Sequence, residues 1–353
     1  MIMNNKKKNI IFITTAEKEI SGGANIINKQ SSIINKLNLG FDSKIIPLGK
    51  KKYSKWKNSI NKILKIKNEY YGWSFKDVEI KKTYQYSDKI DDVKIQKNIN
   101  FNKSTDFVII PEIFAHFADN LCLENKIPYA IYVQNGYAID STNNFELIKK
   151  VYKNASLIIS YSKNISDCIK HYFPEHQKKI INISCSTNFE NFKIPNVSKK
   201  NIITYMPRKL NNHSNLVIKF TKNILPKSWQ IKSISTLNQK NTFTMLSQSK
   251  IFLSFSNLEG LGLPPIEAAL TKNIVIGYTG EGGKEYWKKP IFNQIYSGDI
   301  INFSRTLLKE INCYSFSKKH ETCRKSLLNK FSNLREITNI KKLLSRIGSF
   351  YLH

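Results

Sequence analysis

The sequence is poor in ordered cysteine and in acid. Its five cysteines, Cys122, Cys168, Cys185, Cys313 and Cys323, are scattered, odd in number and never spaced Cys-x-x-Cys. That spacing indicates neither a disulfide framework nor a zinc site, and it fits a reducing cytoplasm. No stretch approaches the roughly 20 apolar residues of a membrane-spanning helix. The amino-terminal MIMNNKKKNIIFITT sets basic residues before an apolar run, but the run is too short for a signal segment and reads on as a first strand. There is no repeat of solenoid length. A G-x-G-x-x-G fingerprint is missing too, so Gly22-Gly23 is weak support for a dinucleotide-binding site. No DxD-like acid pair sits among apolar strand residues to suggest a metal bridge; Asp91-Asp92 lies in a polar, basic interval.

Acids number 26 against 56 Lys and Arg in 353 residues, a formal net charge of +30. Lysine dominates the excess and comes with abundant Asn and Ile, which the codon bias of an AT-rich genome also produces. A cation-rich surface attracts anionic lipid, nucleic acid or polyphosphate whatever its origin. Without a zinc finger, an RNP-type string or a compact Arg cluster, nucleic acid is not the expected partner. The 41% hydrophobic content and the length suit two α/β domains with packed cores.

What is present is an α/β rhythm. Asn9 to Thr14 reads as a buried strand, followed after Gly22-Gly23 by a helix carrying Ile26, Ile27, Ile33, Ile34 and Leu37. Those glycines either form a site or merely make a tight strand-to-helix turn. Ser43 to Leu48 is a second strand. The basic, aromatic-rich interval after it holds Trp56, Ile60, Ile63 and Leu64 at helical spacing; a core-packing helix with a solvated lysine face explains this, and so does one resting on an anionic membrane. From Asp106 two buried strands flank a helix through Cys122. Their ends carry Glu112 with His116 and Gln134-Asn135-Gly136, where ligands bind in open α/β sheets. Pro195 to Lys200 reads as a linker. Ile202 to Tyr205 begins the second half, and Arg208-Lys209 leaves that strand.

The densest chemistry lies in Ser249 to Trp287. An apolar strand ends at Glu259; Gly260, Leu261, Gly262 and Leu263 break it; and Pro264 suits the first turn of a helix. Glu267 follows in that helix, and a second strand leads to Gly280-Glu281-Gly282-Gly283. Strand, helix, strand at this length is a βαβ unit, whose helix start offers N–H groups to a phosphate. The bland alternative is that Glu267 is a dipole-complementing acid near a helix start and Glu259 a surface loop residue.

EGLGLPPIEA followed by IVIGYTGEGGKE resembles the donor-site signature of retaining, nucleotide-sugar-dependent glycosyltransferases with the GT-B fold, family four. The resemblance covers most of the chain and is specific from Thr204 to Glu285. It implies two Rossmann-like domains facing a cleft: residues 1–194 on the acceptor side, a linker at 195–200, a nucleotide-sugar domain at 201–336, and a carboxyl-terminal helix at 337–353 returning to the first domain. It further implies that Arg208, with Lys209 as a substitute cation, and the N–H groups of Leu261 to Leu263 support the departing diphosphate. Glu259 would serve the sugar or the reacting carbon, and Glu267 the ribose hydroxyls. Gly22, Gly23, Gln134 and Asn135 would bound the site from the first domain. The chain departs from the family pattern in three places. Gln134-Asn135 replaces a histidine, His213 stands where a lysine is usual, and Cys185, Ser186 and Asn188 replace most of an Asn-Gly-x-Asp loop that still ends in Phe192.

The expectation is a metal-independent, cofactor-free sugar transfer from a nucleoside-diphosphate sugar to a glycan or lipid-linked acceptor, in the cytoplasm or on the inner face of the membrane. The alternatives are a catalytically silent nucleotide-binding subunit and a basic protein that binds membrane or nucleic-acid surfaces.

Overall fold

KNIIFITT is apolar on both faces and rich in β-branched residues, the composition of a strand covered on both sides. In the computed structural model it forms β1 (Lys8–Thr15), with Ile10 to Ile13 fully buried. The structure describes residues 7–16, 22–50, 78–81, 92–140, 142, 144–187, 197–207, 209–235 and 239–351. The helix expected around Trp56 to Leu64, the cation Arg208, and Asn188 and Phe192 of the exit loop lie outside them.

The described residues fall into two compact units. One comprises residues within 1–161, 165–183 and 337–353, and the other those within 162–164 and 184–336. The first unit holds β1, β2 (Phe41–Lys50), β3 (Val78–Ile80), β4 (Lys94–Ile95), β5 (Asp106–Pro111), β6 (Tyr129–Tyr132), β7 (Leu157–Ser160) and β8 (Ile180–Asn182). The sheet order is β3-β2-β1-β5-β6-β7-β8, with β4 also pairing β2. All pairings are parallel except that of β3 with β2. Parallel order demands crossovers, and α1 (Gly22–Leu37), α2 (Phe145–Asn154) and α3 (Lys163–Tyr172) supply them. In α1, Ile26, Ile27 and Ile34 are buried as their spacing foretold, while Ile33 and Leu37 are half-buried. The helix expected through Cys122 is instead a 3₁₀ turn, Glu112–Phe114, and a π turn, Asp119–Leu123. Bonds five residues apart, Glu124 N–H to Asp119 O and Ile127 N–H to Cys122 O, widen it. Phe350, beyond the last helix, stacks on Phe107 of β5 with centroids 6.1 Å apart.

The second unit is a parallel sheet, β10-β9-β11-β12-β13, formed by β9 (Lys200–Tyr205), β10 (Gln230–Ser233), β11 (Ser249–Ser256), β12 (Ile274–Thr279) and β13 (Phe292–Gln294). Its helices are α4 (Asn211–Lys222), α5 (Gln239–Gln248), α6 (Leu263–Leu270), α7 (Ile300–Asn312) and α8 (Lys318–Lys330); α9 (Asn333–Gly348) begins here and continues among the residues of the first unit. Ser186 is held to the start of α9 by its hydroxyl, whose oxygen lies 2.6 Å from a carboxylate oxygen of buried Glu336 and 2.7 Å from Asn333 Oδ1. Lys199 donates to three carbonyls, those of Leu246, Ser249 and Thr271, matching the three donors of an ammonium. Two of these carbonyls close α5 and α6, where a cation complements the helix dipole. Burial pushes the Lys199 ammonium down to about 7. Among the described residues, no helix is long and apolar enough to cross a membrane.

Candidate functional site

Every strand of the second sheet runs the same way, so the loops after β9, β11 and β12 share one sheet end. β11 is buried up to Ser256, and the chain leaves it through residues 257–262. Gly262 then caps α6 at φ +77, a left-handed conformation that glycine adopts without a Cβ clash. The turn Gly280–Gly283 packs backbone against backbone on this loop. A Cβ on Gly282 would lie 2.3 Å from the Gly260 carbonyl oxygen. The Gly282 N–H donates to Glu259 O at 3.0 Å, and Glu281 N–H to Asn257 O at 3.3 Å. From below, the buried Tyr286 hydroxyl donates to Gly262 O at 2.7 Å. Burial, followed by the charges of Glu259 and Glu285, holds that phenol well above its ordinary range, so it remains a donor. Tyr286 was not a sequence candidate. Its only signal was an aromatic residue shortly after the second glycine-rich turn.

On this braced loop, Glu259 meets Lys209. The carboxylate Oε1 lies 2.8 Å from Lys209 Nζ, with the Glu259 side chain 17% and the Lys209 side chain 42% exposed. The two residues are fifty positions apart, and the sheet brings the exit of β9 against the exit of β11. Further along α6, Glu267 is half-buried. Burial raises its carboxyl to about 7, and among the described residues no hydrogen bond or ion pair to that carboxylate is found. Pro264 and Pro265 have no N–H, and Ile266 N–H faces the carbonyl of the cap residue Gly262, so the donors offered at the helix start are those of Leu263 and, just before it, Leu261 and Gly262. Leu261 itself is buried. His213, in the first turn of α4, bonds the Tyr278 hydroxyl at 3.1 Å, and that hydroxyl also accepts from Gly298 N–H.

In the first unit, Gly23, Gln134 and Asn135 come together, Glu112 holding the latter two and Gln134 the first. Its carboxylate accepts from the backbone N–H groups of Gln134 and Asn135, each at 2.9 Å. Glu112 is 3% exposed. Burial raises its carboxyl to about 7, with the backbone bonds pulling the other way. Gln134 Nε2 donates to Gly23 O at 3.1 Å. A Cβ on Gly23 would lie 2.2 Å from Gln134 Oε1, so any other residue there would push the Gln134 amide aside. Gly22 has open space at its Cβ position. His116 is half-buried and meets the Phe117 ring edge-on at 4.3 Å. Among the described residues, no three His, Cys, Asp or Glu side chains gather as a metal site.

No protein-family model matches this sequence, and no curated protein matches it. Solved structures do. Sucrose-phosphate synthase from Thermosynechococcus elongatus superposes with a TM-score of 0.64 at 10% identity, covering 97% of this chain and 99% of that one. The pneumococcal O-GlcNAc transferase GtfA, in complex with UDP and GlcNAc, gives 0.61 at 12% identity over 98% and 99%. A mutant of TarM from S. aureus, in complex with fondaparinux, α-GlcNAc-glycerol and UDP, gives 0.60 at 12% identity over 98% and 100%. This chain has the fold of GT-B glycosyltransferases. The expected architecture of two Rossmann-like domains is therefore the observed one. At these identities the likeness carries the fold and nothing finer.

Proposed function

We propose that this chain is a retaining, metal-independent glycosyltransferase of the family-four kind. It takes a sugar from a nucleoside diphosphate and passes it to a glycan or lipid-linked acceptor. The observation that supports this best is the Lys209–Glu259 ion pair on a rigidly braced loop that opens into α6, with Glu267, about one turn into that helix, lacking a partner among the described residues. A carboxylate without a partner in a half-buried position is held ready for donors from a ligand, and ribose hydroxyls are such donors. UDP bound in GtfA and in TarM, which share the fold, makes a nucleoside diphosphate the natural candidate ligand.

When the sugar–phosphate bond breaks, negative charge develops on the diphosphate and positive character on the sugar carbon. Fixed groups aimed at those charges lower the barrier most. Lys209 and the N–H groups at the start of α6 are assigned to the diphosphate, as is Arg208 on the family resemblance. Glu259 is assigned to the sugar. In the structure, Lys209 and Glu259 neutralise each other. Donor binding would divide them, the lysine turning to phosphate and the acid to the sugar.

The residues around Gly22, Gly23, Gln134 and Asn135 are assigned to the first domain's share of the site, within residues 1–194. The domain at 201–336 binds the donor, 195–200 links them and 337–353 returns to the first domain. No cofactor is needed in this scheme, and the protein would act in the cytoplasm or at the inner face of the membrane.

The test is a thermal-shift panel of nucleoside diphosphates, since only native-state binding raises the melting point. The expected result is stabilisation by at least one, followed by mass-spectrometric detection of a transferred hexose that persists in EDTA. Silence across the panel removes the reading. A stabilising nucleotide without any transfer would favour a silent binding subunit.

A further inference from the structure

Between Glu190 and Glu259 the sequence has no Asp or Glu at all, yet eleven Lys or Arg. Within this interval, α4 presents two different faces. Ser214, Val217 and Thr221 are buried, and the Thr221 hydroxyl bonds Ser304 of α7 at 2.7 Å. Leu216, Phe220 and Ile224, however, are 44%, 52% and 54% exposed. Four-residue spacing puts the first two in one line on the helix. Ile224 extends that line, because its N–H bonds Thr221 O just past the helix end. Lys219, Lys222 and Lys227, interleaved with these residues, are exposed. The acids of the adjacent α7 are already engaged: Asp299 accepts from Asn302 N–H at 3.2 Å, and Glu310 from Asn293 at 3.3 Å.

Solvent-facing positions of a helix packed on a sheet are ordinarily polar, and a row of large apolar residues there marks an interaction surface. The lysines determine its partner. An apolar row whose charged neighbours in this interval are all cations matches an anionic bilayer, in which side chains enter the headgroup boundary while ammonium groups meet lipid phosphates. A nucleic acid would use the lysines and leave Leu216, Phe220 and Ile224 without a role. We infer that the α4 edge of the second unit, from Leu216 to Lys227, docks on anionic lipid. This inference stands apart from the sugar-transfer reading and survives or fails without it.

The experiment is co-sedimentation of the full chain with phosphatidylglycerol/phosphatidylcholine vesicles, beside phosphatidylcholine alone, at low and at physiological salt. Binding to the anionic vesicles only is expected. The triple variant Leu216→Ser, Phe220→Ser, Ile224→Ser should weaken it by about tenfold or more, and Lys219→Gln, Lys222→Gln, Lys227→Gln by a similar factor. Both variants should stay cooperatively folded and keep any nucleoside-diphosphate shift, because no altered side chain lies in the candidate site; the serine variant should melt somewhat lower, since the three apolar side chains are about half buried. The chain's overall charge could attract vesicles through other surfaces, so the serine variant is decisive. Retention equal to wild type would overturn the inference. So would absence of wild-type binding, or displacement from vesicles by duplex DNA with no dependence on the apolar residues.

Discussion

The two units treat the polar groups at their strand ends in opposite ways. In the first, Glu112, Gln134, Asn135 and Gly23 satisfy one another through three hydrogen bonds, leaving a locked constellation. In the second, the scaffold is locked but the chemistry is not. Backbone bonds and Tyr286 brace residues 257–262, while among the described residues Glu267 has no partner and Lys209, half-exposed, pairs with Glu259. A single ion pair whose lysine still reaches solvent adds little net stability, so a charged ligand can exchange it. A locked arrangement shapes a surface, whereas one with groups in reserve is equipped to bind and release charge.

The largest effects should come from breaking the second unit's reserve. Removing a charged partner from a desolvated phosphate site typically costs about 2–5 kcal/mol, so Arg208→Ala should lose on the order of a hundredfold or more in turnover. Unchanged transfer in that variant would withdraw Arg208 from the site. Glu259→Gln separates the two roles of the ion pair more sharply. It should cost a comparable factor in transfer while leaving Lys209 free for phosphate and removing a nearby like charge. Free nucleoside diphosphate should then bind about as tightly as before or several-fold tighter. Calorimetry showing markedly weaker nucleotide binding would mean that Glu259 touches the nucleotide itself.

The next effect in size concerns Glu267. Its carboxyl is raised to about 7 by burial, so near neutrality it is partly protonated. Ribose hydroxyls donate best to the ionised form and would lower that value on binding. Binding therefore expels a proton, and affinity should climb through pH 6 to 8 by about tenfold, levelling off above. Phosphate ionisation of the nucleotide adds a slope of its own, so the informative quantity is the difference from Glu267→Gln. That variant should bind more weakly at pH 8 and show the phosphate slope alone. Identical pH profiles in calorimetry would remove the ribose assignment.

How much of this was legible in the sequence follows from the same comparison. The loop of the second unit could be read directly, because glycines, prolines and acids at fixed short spacing encode a strand exit and a helix start locally. The pairing of Lys209 with Glu259 could not. The candidate cation was visible, but its partner lies fifty residues on and is brought near by strand order. Gly23 and Gln134 were each named for their place at a strand or helix end. Their contact spans 111 residues and depends on a missing Cβ. Glu112 was seen only as an acid closing a strand, since nothing local tells which amides a buried carboxylate will hold. The π turn at Asp119–Leu123 replaced an expected helix because a five-residue bond has no propensity signature of its own.

The last expected effect, on stability and not on turnover or affinity, tests the locked unit. Glu112→Gln keeps the shape of the side chain but leaves one acceptor oxygen where two backbone N–H groups now meet a carboxylate. One of them must then face an amide N–H₂, a loss of about 1–3 kcal/mol in urea unfolding. The pH dependence gives a second reading. Burial raises Glu112 from 4.5 to about 7, so between those values the folded chain holds a proton that the unfolded chain has released. Its contribution is fully present below pH 4.5 and is lost as pH rises through 7. Glu267 contributes in the same sense, so the wild type should lose stability across that window, and Glu112→Gln should lose less. A variant with the wild-type slope would mean that Glu112 is ionised throughout the window. The two backbone N–H bonds would then outweigh burial, making the first unit's constellation a fixed anion site instead of a neutral clasp.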